Sequence, residues 1–557
     1  MNIKTLLSLT LLSISPCIVA QDVLRPEVAE WEKLIEGGQF MDLFEPMVGS
    51  VSSSDVWGAA AVKPRFIDNG IEDEAYSYWG GNIIKGDDNR YHLFVCGWPE
   101  SNKEGHMGWL DASIVFHATS DSPNGSFKVE QQMGRGHNTE VIALDSGKFM
   151  VYNIMGHDDQ TDCCYYEGNT IDGPWELKQL PYDLRDRDRI PGPNNWFHNM
   201  SFSKREDGSI LMVNRGGCIW VSKDGDSTYN LISDQSVYPL VNGRYEDPVV
   251  WRDNVQYNMI VNDWYGRVAF YLRSKDGVNW ITEPGRAYTP GVSVHADGTV
   301  EDWYKYERIR IFQDDKGRAA QANFAVIDTL KHNDLPHDTH SSKNIVVPLQ
   351  KGLLLEYLSQ SPIGTKTTEL PVKILAEEGF DPIGQVDVES LRFGASTEVN
   401  YGRGAVALRC EASGKDLIVY FSGDNHCIGS EEFAPKMIGR NRDGEMIFGY
   451  SRLPWVNYQP AILSARKPFI KGRTIEVIID NFGITKSKDS FITLGYYTNN
   501  GTLEQCASAT LAPLAPYSSQ KIRLEINDKT LALQGKAIVV EIHQNGEKSN
   551  KLHTTLK

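Results

Sequence analysis

Five stretches of the chain open with residue types that bind sugars, and each opening runs into a short apolar segment. The openings hold Trp79 and Asn82, then His137, Asn138 and Glu140, then His198 and Asn199, then Glu246 and Asp247, and finally Glu307 and Arg308. Amides, imidazoles, carboxylates and guanidinium groups hydrogen-bond to hydroxyls, while an aromatic face stacks on a sugar ring. If the five openings converge, they form a pocket for a carbohydrate.

Cleaving a glycosidic bond needs one group that protonates the leaving oxygen and another that activates water or attacks carbon. Asp247 and Glu307 are the predicted catalytic carboxylates, with Glu246 beside them and Glu140 and the acidic run 72–74 next in order. A structural interpretation stays open for both. Asp247 precedes Pro248 and could shape a strand start, and Glu307 could pair with Arg308.

Other residues could complete such a pocket from outside the five openings. His295, in a loop before the fifth stretch, is a third catalytic candidate as a proton donor, and His106 could reach the pocket from the first stretch. Arg215, with Arg267 and Arg308, could supply positive potential for an anionic substrate. The run at 185–189 is interpreted as a solvated loop.

The segments that carry these openings repeat one pattern of strand, turn and strand. They are WGGNIIKGDDNRYHLFV, HNTEVIALDSGKFMVYNI, FHNMSFSKREDGSILMVN, YEDPVVWRDNVQYNMIVNDW and YERIRIFQDDKGRAAQANF. Asp-Gly, Ser-Gly or Lys-Gly turns separate most of the strand pairs, and two further strands follow most pairs. A repeat of roughly 50 residues of this kind predicts a β-propeller, since one blade buries both faces only between neighbours. We therefore expect an all-β protein whose residues 21–372 form a five-bladed propeller; a generic β-sandwich is the alternative.

After residue 372 the polar openings stop and strands alternate between apolar and polar positions, as in DLIVYFS, TIEVIID and AIVVEIH. This pattern predicts a β-sandwich over 373–557 that packs on the propeller. No Pro/Gly/Ser-rich tether lies between the two parts, so we expect them to be inseparable. Trp455 and Tyr458 could form a sugar platform, although interdomain packing is the favoured explanation for them.

The 557 residues are enough for two or three domains, and residues 1–20 have the layout of a secretory signal with cleavage before Gln21. Pro16 before Cys17 does not favour the lipoprotein alternative. We expect a periplasmic or secreted protein without a membrane span and of unassigned oligomeric state. The formal charge of -17 disfavours nucleic acid as a partner.

The cysteines show no CxxC pair and no zinc-ligand spacing. We therefore predict no metal ligands and no required cofactor, with a calcium ion on the propeller axis left open. Cys410 with Cys427 is one candidate disulfide.

These motifs resemble the propeller glycosidases of glycoside hydrolase families 43, 32 and 117, over about residues 60–350. WGGNIIKGDDNRYHLFVCGWP, HNTEVIA, EDPVVW, ERIRIF and NDLPHDTHSSKNIVVPL are similar to a family-43-like set of secreted bacterial proteins. Family 43 opens its first three blades with acids, where this chain has amides and histidines. The family 117 analogy implies that Asp247 and Glu307 match later-blade acids and that His295 corresponds to a histidine acid.

The resemblance implies an exo-acting glycoside hydrolase that inverts configuration and removes a terminal sugar of galactose, anhydrogalactose or arabinose type from an algal or plant oligosaccharide. Two alternatives stay open. A carbohydrate-binding propeller without catalysis fits the missing acids of the first three openings. A polysaccharide lyase needs a base and a charge neutraliser instead of two carboxylates.

The signal layout generates a first prediction. The mature chain begins at Gln21 and accumulates in the periplasm or the medium. Intact-mass measurement of the exported protein checks this, and a mass that retains Met1 would contradict it.

Overall fold

The computed structural model describes residues 28–53, 62–155, 163–187, 197–233, 235–239, 243–265, 267–334, 342–525, 535–544 and 547–556. The predicted signal segment lies outside these residues. The all-β prediction is confirmed. The described helices are three single turns of α-helix, at Trp109–Ala112, Pro382–Gln385 and Ser396–Val399, and four short 3-10 turns, at Ala29–Lys33, Phe40–Leu43, Gly105–Gly108 and Lys331–Asn333. No helix among the described residues is long and apolar enough to cross a membrane.

Five sheets follow one another between residues 76 and 348, after a small pair formed by β1 (Ser52–Ser53) and β2 (Arg65–Phe66). The first sheet holds β3 (Tyr76–Lys85), β4 (Tyr91–Pro99), β5 (Ile114–Ser120) and β6 (Lys128–Arg135). The second holds β7 (His137–Ala143), β8 (Phe149–Ile154), β9 (Cys163–Gly168) and β10 (Trp175–Gln179). The third holds β11 (Tyr182–Asp183), β12 (Ser201–Lys204), β13 (Ile210–Val213), β14 (Ile219–Ser222) and β15 (Tyr229–Leu231). The five sheets are antiparallel except where β11 pairs with β15 in parallel in the third sheet.

The fourth sheet holds β16 (Tyr245–Arg252), β17 (Tyr257–Asp263), β18 (Val268–Ser274) and β19 (Ile281–Thr282). The fifth holds β20 (Lys305–Gln313), β21 (Ala319–Ile327) and β22 (Ser342–Pro348). The first strand of each hairpin repeat packs on the first strand of the next sheet, and β20 packs on β3, so these strands close a ring. Strands such as β17 are buried on both faces because each sheet is covered by two neighbours.

The N-terminal segment completes the edge of the fifth sheet. The backbone N–H of Ile71 donates to Asn344 O at 3.0 Å, beside β22. The Asn69 side chain donates to Val346 O at 2.8 Å and accepts from Val346 N at 2.8 Å. The segment therefore acts as an outer partner for a sheet that has only three strands of its own.

The C-terminal part differs from the single sandwich that the sequence predicts. A closed barrel holds β23 (Leu353–Tyr357), β24 (Glu369–Ile374), β25 (Val386–Gly394), β26 (Ala405–Ser413), β27 (Asp416–Ser422), β28 (Lys436–Asn441) and β29 (Met446–Tyr450). The expected boundary at residue 373 falls inside β24, which pairs with β23. Alternating burial in β27 matches the predicted pattern, but closure gives every strand two partners and removes the sheet edges.

Two four-stranded sheets follow the barrel and share one apolar core. One holds β30 (Leu463–Ala465), β31 (Phe469–Lys471), β32 (Thr474–Asn481) and β35 (Ser519–Glu525). The other holds β33 (Ser490–Tyr497), β34 (Leu503–Leu511), β36 (Ala537–Gln544) and β37 (Glu547–Thr555). Cys410 and Cys427 are free, exposed thiols, so the candidate disulfide is not formed.

Buried ion pairs join the five-sheet ring to the C-terminal part. Arg273 on β18 is fully buried, pairs with Glu432 of the C-terminal part at 3.6 Å and donates to Ala434 O at 3.1 Å. Arg185 pairs with Asp480 at 2.6 Å and donates to Ser464 O at 2.7 Å. The interpretation of Arg185 as part of a solvated loop is therefore corrected, because its guanidinium is buried against the last two sheets.

This interface generates a second prediction. Arg273→Ala leaves the buried carboxylates of Glu283 and Glu432 without their cation, so the free energy of unfolding should fall by about 3–5 kcal/mol. Urea or thermal denaturation measures the change. The matched control is Arg409→Ala, which breaks the exposed pair with Glu369 and should change stability little. Equal losses in the two variants would contradict the interface role.

Candidate active site

The five strand openings share an unusual backbone conformation. The residue after the first position of each opening has a φ in the left-handed region: Gly80 at 52°, Asn138 at 58°, Asn199 at 54°, Asp247 at 55° and Arg308 at 52°. We call these five residues the axial ring. Each position other than glycine costs on the order of 1 kcal/mol, so the surrounding structure must enforce it.

Interruptions of the strand ladder accompany this conformation in four of the five sheets. The register shifts between Trp79 and Gly81, His137 and Glu140, Glu246 and Val249, and Glu307 and Arg310. Such bulges re-aim side chains at the end of a strand. The repeat that the sequence shows as polar openings is therefore a repeat of backbone geometry.

Hydrogen bonds connect the axial ring from sheet to sheet. Asn138 Nδ2 donates to Asn199 Oδ1 at 2.9 Å, and Asn199 Nδ2 donates to Asp247 Oδ1 at 3.0 Å. Arg308 Nη1 lies 2.8 Å from the same Asp247 oxygen. A Cβ on Gly80 would lie only 3.2 Å from the Arg308 side chain, so a residue without a side chain closes the ring.

Three carboxylates with four cationic partners surround this ring. Glu246 accepts from Asn199 Nδ2 at 2.7 Å and pairs with Arg215 at 3.3 Å. Glu307 pairs with Lys305 at 3.0 Å and with Lys331. Asp247 and Glu307 are each only 1% exposed. We call Glu246, Asp247 and Glu307 the carboxylate cluster.

The surroundings of Asp247 and Glu307 give these two carboxyl groups different pKa values. Burial raises the pKa of Asp247 to about 7; Arg308 opposes this shift, and the negative charges of Glu246 and Glu307 add to it. Burial would also raise the pKa of Glu307, but Lys331 and Lys305 outweigh burial and lower it to about 2. Near neutral pH, Asp247 is partly protonated while Glu307 is ionised.

Two neutral histidines lie beside the carboxylate cluster. His198 Nδ1 lies 2.8 Å from Asn199 Oδ1, and burial followed by the Arg215 charge lowers the pKa of His198 to about 3. His137 Nδ1 lies 2.9 Å from Ser113 Oγ, and burial holds the pKa of His137 well below its ordinary value. These imidazoles are neutral hydrogen-bonding groups and not proton donors near neutral pH.

His106 and Trp79 form an aromatic contact near Lys331. Their ring centroids are 4.6 Å apart, and His106 Nδ1 lies 3.1 Å from Ser342 Oγ. The Lys331 ammonium lies 4.8 Å from the Trp79 ring centroid. Trp79 is 1% exposed, so in this structure its ring packs against its neighbours and offers no open stacking face.

Asn82 and Glu140 have positions different from the one that the sequence predicts. Each lies three residues after the first residue of its opening, Trp79 or His137, where the side chain faces the next sheet. Asn82 accepts from Val141 N at 2.7 Å and donates to Val141 O at 2.9 Å, while Glu140 accepts from Phe202 N at 2.9 Å. Arg310, at the equivalent position of the fifth sheet, pairs with Glu140 at 2.9 Å. These side chains tie neighbouring sheets together and line a cavity of about 920 Å³ along the first strands.

His295 lies away from the carboxylate cluster. Its Nε2 is 3.0 Å from Glu301 Oε1, and its ring stacks on Phe66 at 3.8 Å. Within the part of the chain that the structure describes, no contact joins His295 to Asp247 or Glu307. His295 lies in the loop before β20, as the sequence predicts, but the Glu301 carboxylate of the same loop holds its ring.

The remaining candidates are also separate from the cluster. Glu72 is paired with Arg65 and Lys343, each at 2.7 Å, and Asp73 accepts from the backbone of residues 75 and 76. Glu74 is exposed. Arg267 donates to Tyr304 O at 3.0 Å and lies over the Tyr304 ring.

Sequence reasoning missed Lys305 and Lys331, which control the charge of Glu307. Lys305 stands two residues before Glu307 on the same strand, and this spacing places side chains on one face. That signal could have found it. Lys331 comes from the turn after β21, and nothing local in the sequence connects it with Glu307.

No protein-family model and no curated protein matches the chain. Among solved structures, Zg3597, a family 117 glycoside hydrolase from the marine bacterium Zobellia galactanivorans, aligns with 55% of this chain and 89% of its own at 10% identity, with a TM-score of 0.36. CoXyl43, a GH43 β-xylosidase/α-arabinofuranosidase from a compost metagenome, aligns with 54% of this chain and 98% of its own at 10% identity and a TM-score of 0.33. A structure described as a glycoside hydrolase covers 86% of this chain and 99% of its own at 10% identity and 0.36. At such low TM-scores, function has to be argued from the residues themselves.

The raised pKa of Asp247 generates a third prediction. The folded state keeps a proton on Asp247 up to about pH 7, whereas an unfolded carboxyl group loses it near pH ~3.9, so this group's stability contribution falls as pH rises through that window. Asp247→Asn removes the titration. The melting temperature of the variant minus that of the wild type should therefore increase from pH 5 to pH 7 and level off above.

Thermal denaturation in a pH series measures this difference. The control is Asp121→Asn, whose side chain is 98% exposed and leaves Asp247 in place. A difference for Asp247→Asn that stays constant across the series would show that the folded protein does not hold this proton.

Proposed function

We propose that this chain is a secreted, exo-acting glycoside hydrolase that removes a terminal sugar from algal or plant oligosaccharides. One observation carries the proposal: a buried carboxyl group that keeps its proton near neutral pH lies in the same cluster as a carboxylate that stays ionised. Such a division of protonation supplies a proton for the leaving oxygen and a negative charge for the developing cation. The ring of five sheets, interpreted as a five-bladed propeller, brings both groups to one place.

Asp247 is the proposed proton donor. Its Oδ1 accepts from Asn199 and lies against Arg308, so the proton belongs on Oδ2. Oδ2 is buried and has no hydrogen-bond partner among the described residues. A protonated, buried oxygen without a partner can donate a hydrogen bond to an acceptor on a bound molecule. The glycosidic oxygen of a bound substrate would be that acceptor.

Glu307 is the proposed ionised partner. A pKa near 2 makes Glu307 a weak base in the free protein, so it first contributes a fixed negative charge opposite the cation-like anomeric carbon. As the attacking water bonds to that carbon and becomes acidic, Glu307 accepts the proton that the water loses, while Asp247 gives its own proton to the leaving oxygen. Delivery of that water to the face opposite the leaving group gives inversion. Lys331, 22% exposed, holds Glu307 in position.

The neutral groups of the site would hold the sugar. His198 and His137 are uncharged near neutral pH and can each donate or accept one hydrogen bond. Asn138 Oδ1 is buried without a hydrogen-bond partner among the described residues and can accept from a hydroxyl. An axial calcium ion fits these residues poorly, because the Arg308 guanidinium already lies against the Asp247 carboxyl, so we assign it no step.

A polysaccharide lyase is the second candidate, since Arg215, Arg308, Lys305 and Lys331 provide cations that could neutralise a uronate carboxyl group. The products separate the candidates. Incubation with a panel of defined oligosaccharides should give a saturated new reducing end from a hydrolase and an unsaturated, ultraviolet-absorbing end from a lyase. Binding without any product would identify a carbohydrate-binding protein that lacks catalysis.

The assignment of roles generates a fourth prediction. Asp247→Asn and Glu307→Gln keep side-chain size but remove the proton and the charge, so kcat should fall at least ~10²-fold with KM nearly unchanged. Asn138→Ala should raise KM as well, because a lost hydroxyl contact weakens substrate and transition state alike.

Steady-state kinetics on the substrate found in the panel measures both parameters. The control is the exposed Glu74→Gln, which should keep wild-type kinetics. Near-normal turnover of both amide variants would move the catalytic pair away from Asp247 and Glu307.

A further inference from the structure

Two histidines and an aspartate converge on the outer part of the first two sheets, away from the carboxylate cluster. His92 lies on β4 and His117 on the neighbouring β5, and both are 1% exposed. His92 Nδ1 is 2.8 Å from His117 Nε2, and the two rings are stacked with centroids 5.1 Å apart. Asp172 comes from the turn between β9 and β10 of the second sheet and is exposed.

We propose that His92, His117 and Asp172 bind a divalent transition-metal ion of the zinc class. One donor atom from each residue lies within 4.8 Å of the donor atoms of the other two. Ligand bonds of roughly 2.0–2.2 Å place the donors of a tetrahedral ion about 3.3 Å apart, so closing the site requires shifts near 1 Å. Asp172 can make most of this movement because it stands on an exposed turn.

The surroundings of His92 match those of a metal-binding histidine. Its Nε2 lies 3.2 Å from Asp88 Oδ1, which accepts the Nε2 proton and leaves the Nδ1 lone pair free to face His117 and the ion. A carboxylate behind the ring fixes the tautomer and the orientation of the ring. Asp88 thus has the role of an orienting partner.

His117 also has a polar partner behind its ring, which can set its tautomer. Its Nδ1 lies 3.2 Å from the Gln131 amide, and a rotation of that amide presents Oε1 to an Nδ1 proton and frees Nε2 for the ion. Both tautomers of His117 carry one proton, so ion binding needs no proton to leave.

A hydrogen bond between the two rings accounts for the histidine pair alone, but it does not account for the third donor from another sheet. An ion would join two strands of the first sheet to a turn of the second. His92 pairs with Ile84 on β3, whereas Trp79, next to the carboxylate cluster, pairs with Cys96 toward the other end of the strand. The ion would therefore stabilise the ring of sheets and take no part in the proposed hydrolysis.

Zinc binding to the full-length, metal-stripped protein tests the proposal. Wild type and Asp172→Ala are titrated with Zn²⁺, the bound metal is measured after desalting, and the melting temperature is recorded with and without Zn²⁺. We expect one bound equivalent and a rise of several degrees for the wild type, and at least ~10-fold weaker binding for Asp172→Ala. The matched control is Asp121→Ala, an exposed aspartate that follows β5, which should behave as wild type.

Substitution of a buried ligand provides the second arm. His117→Gln should lose the equivalent and the thermal shift, and a Co²⁺ spectrum should lose its imidazole-dependent bands. If His117→Gln does not fold, the exposed Asp172→Ala decides alone. No zinc uptake by the wild type, or equal uptake by wild type and both variants, would overturn the proposal.

Discussion

The convergence of five strand openings on one ring is the constraint on which the rest of the structure depends. Each opening places a residue in the left-handed region, and only Gly80 does so without strain. The neighbouring residues compensate through hydrogen bonds from Asn138 to Asn199 and on to Asp247, which meets Arg308. A ring of this kind exists only when all five sheets are present, so the candidate site forms only when the ring of sheets closes.

Charge balance around the ring explains how several ionisable groups share a buried volume. Arg308 neutralises Asp247 only in part, because Glu246 and Glu307 act on the same carboxyl group and burial opposes its ionisation. The lysines near Glu307 do the reverse and keep that carboxylate charged. Two acids with the same intrinsic chemistry thus acquire different protonation, which is the physical basis of the proposed division of labour.

Polar contacts stabilise the boundaries between neighbouring sheets of the ring. Asn82 and Glu140 satisfy backbone N–H groups of the next sheet, a task that a continuous β-ladder would otherwise perform. Arg273 and Arg185 make similar polar contacts at the boundary with the C-terminal part, where their buried guanidinium groups bridge carboxylates and carbonyl oxygens. The proposed zinc site would add one more link between sheets at the outer edge. Since the contacts of Glu140, Arg273 and Arg185 bury a charge, loss of a single charged partner lowers the stability of the fold.

Local pattern alone determined the strand repeats, the turns, the all-β class and the openings that carry Asn138, Asn199, Asp247 and Glu307, because strand periodicity and turn chemistry act over a few residues. Only the tertiary structure decided which residues meet. It brought Lys331 to Glu307, turned Asn82 and Glu140 toward neighbouring sheets, and held His295 on Glu301. It also closed β23 to β29 into a barrel and gathered His92, His117 and Asp172 from separate strands and sheets. Such contacts depend on how sheets stack, and a sequence pattern does not record the angle at which one sheet meets the next.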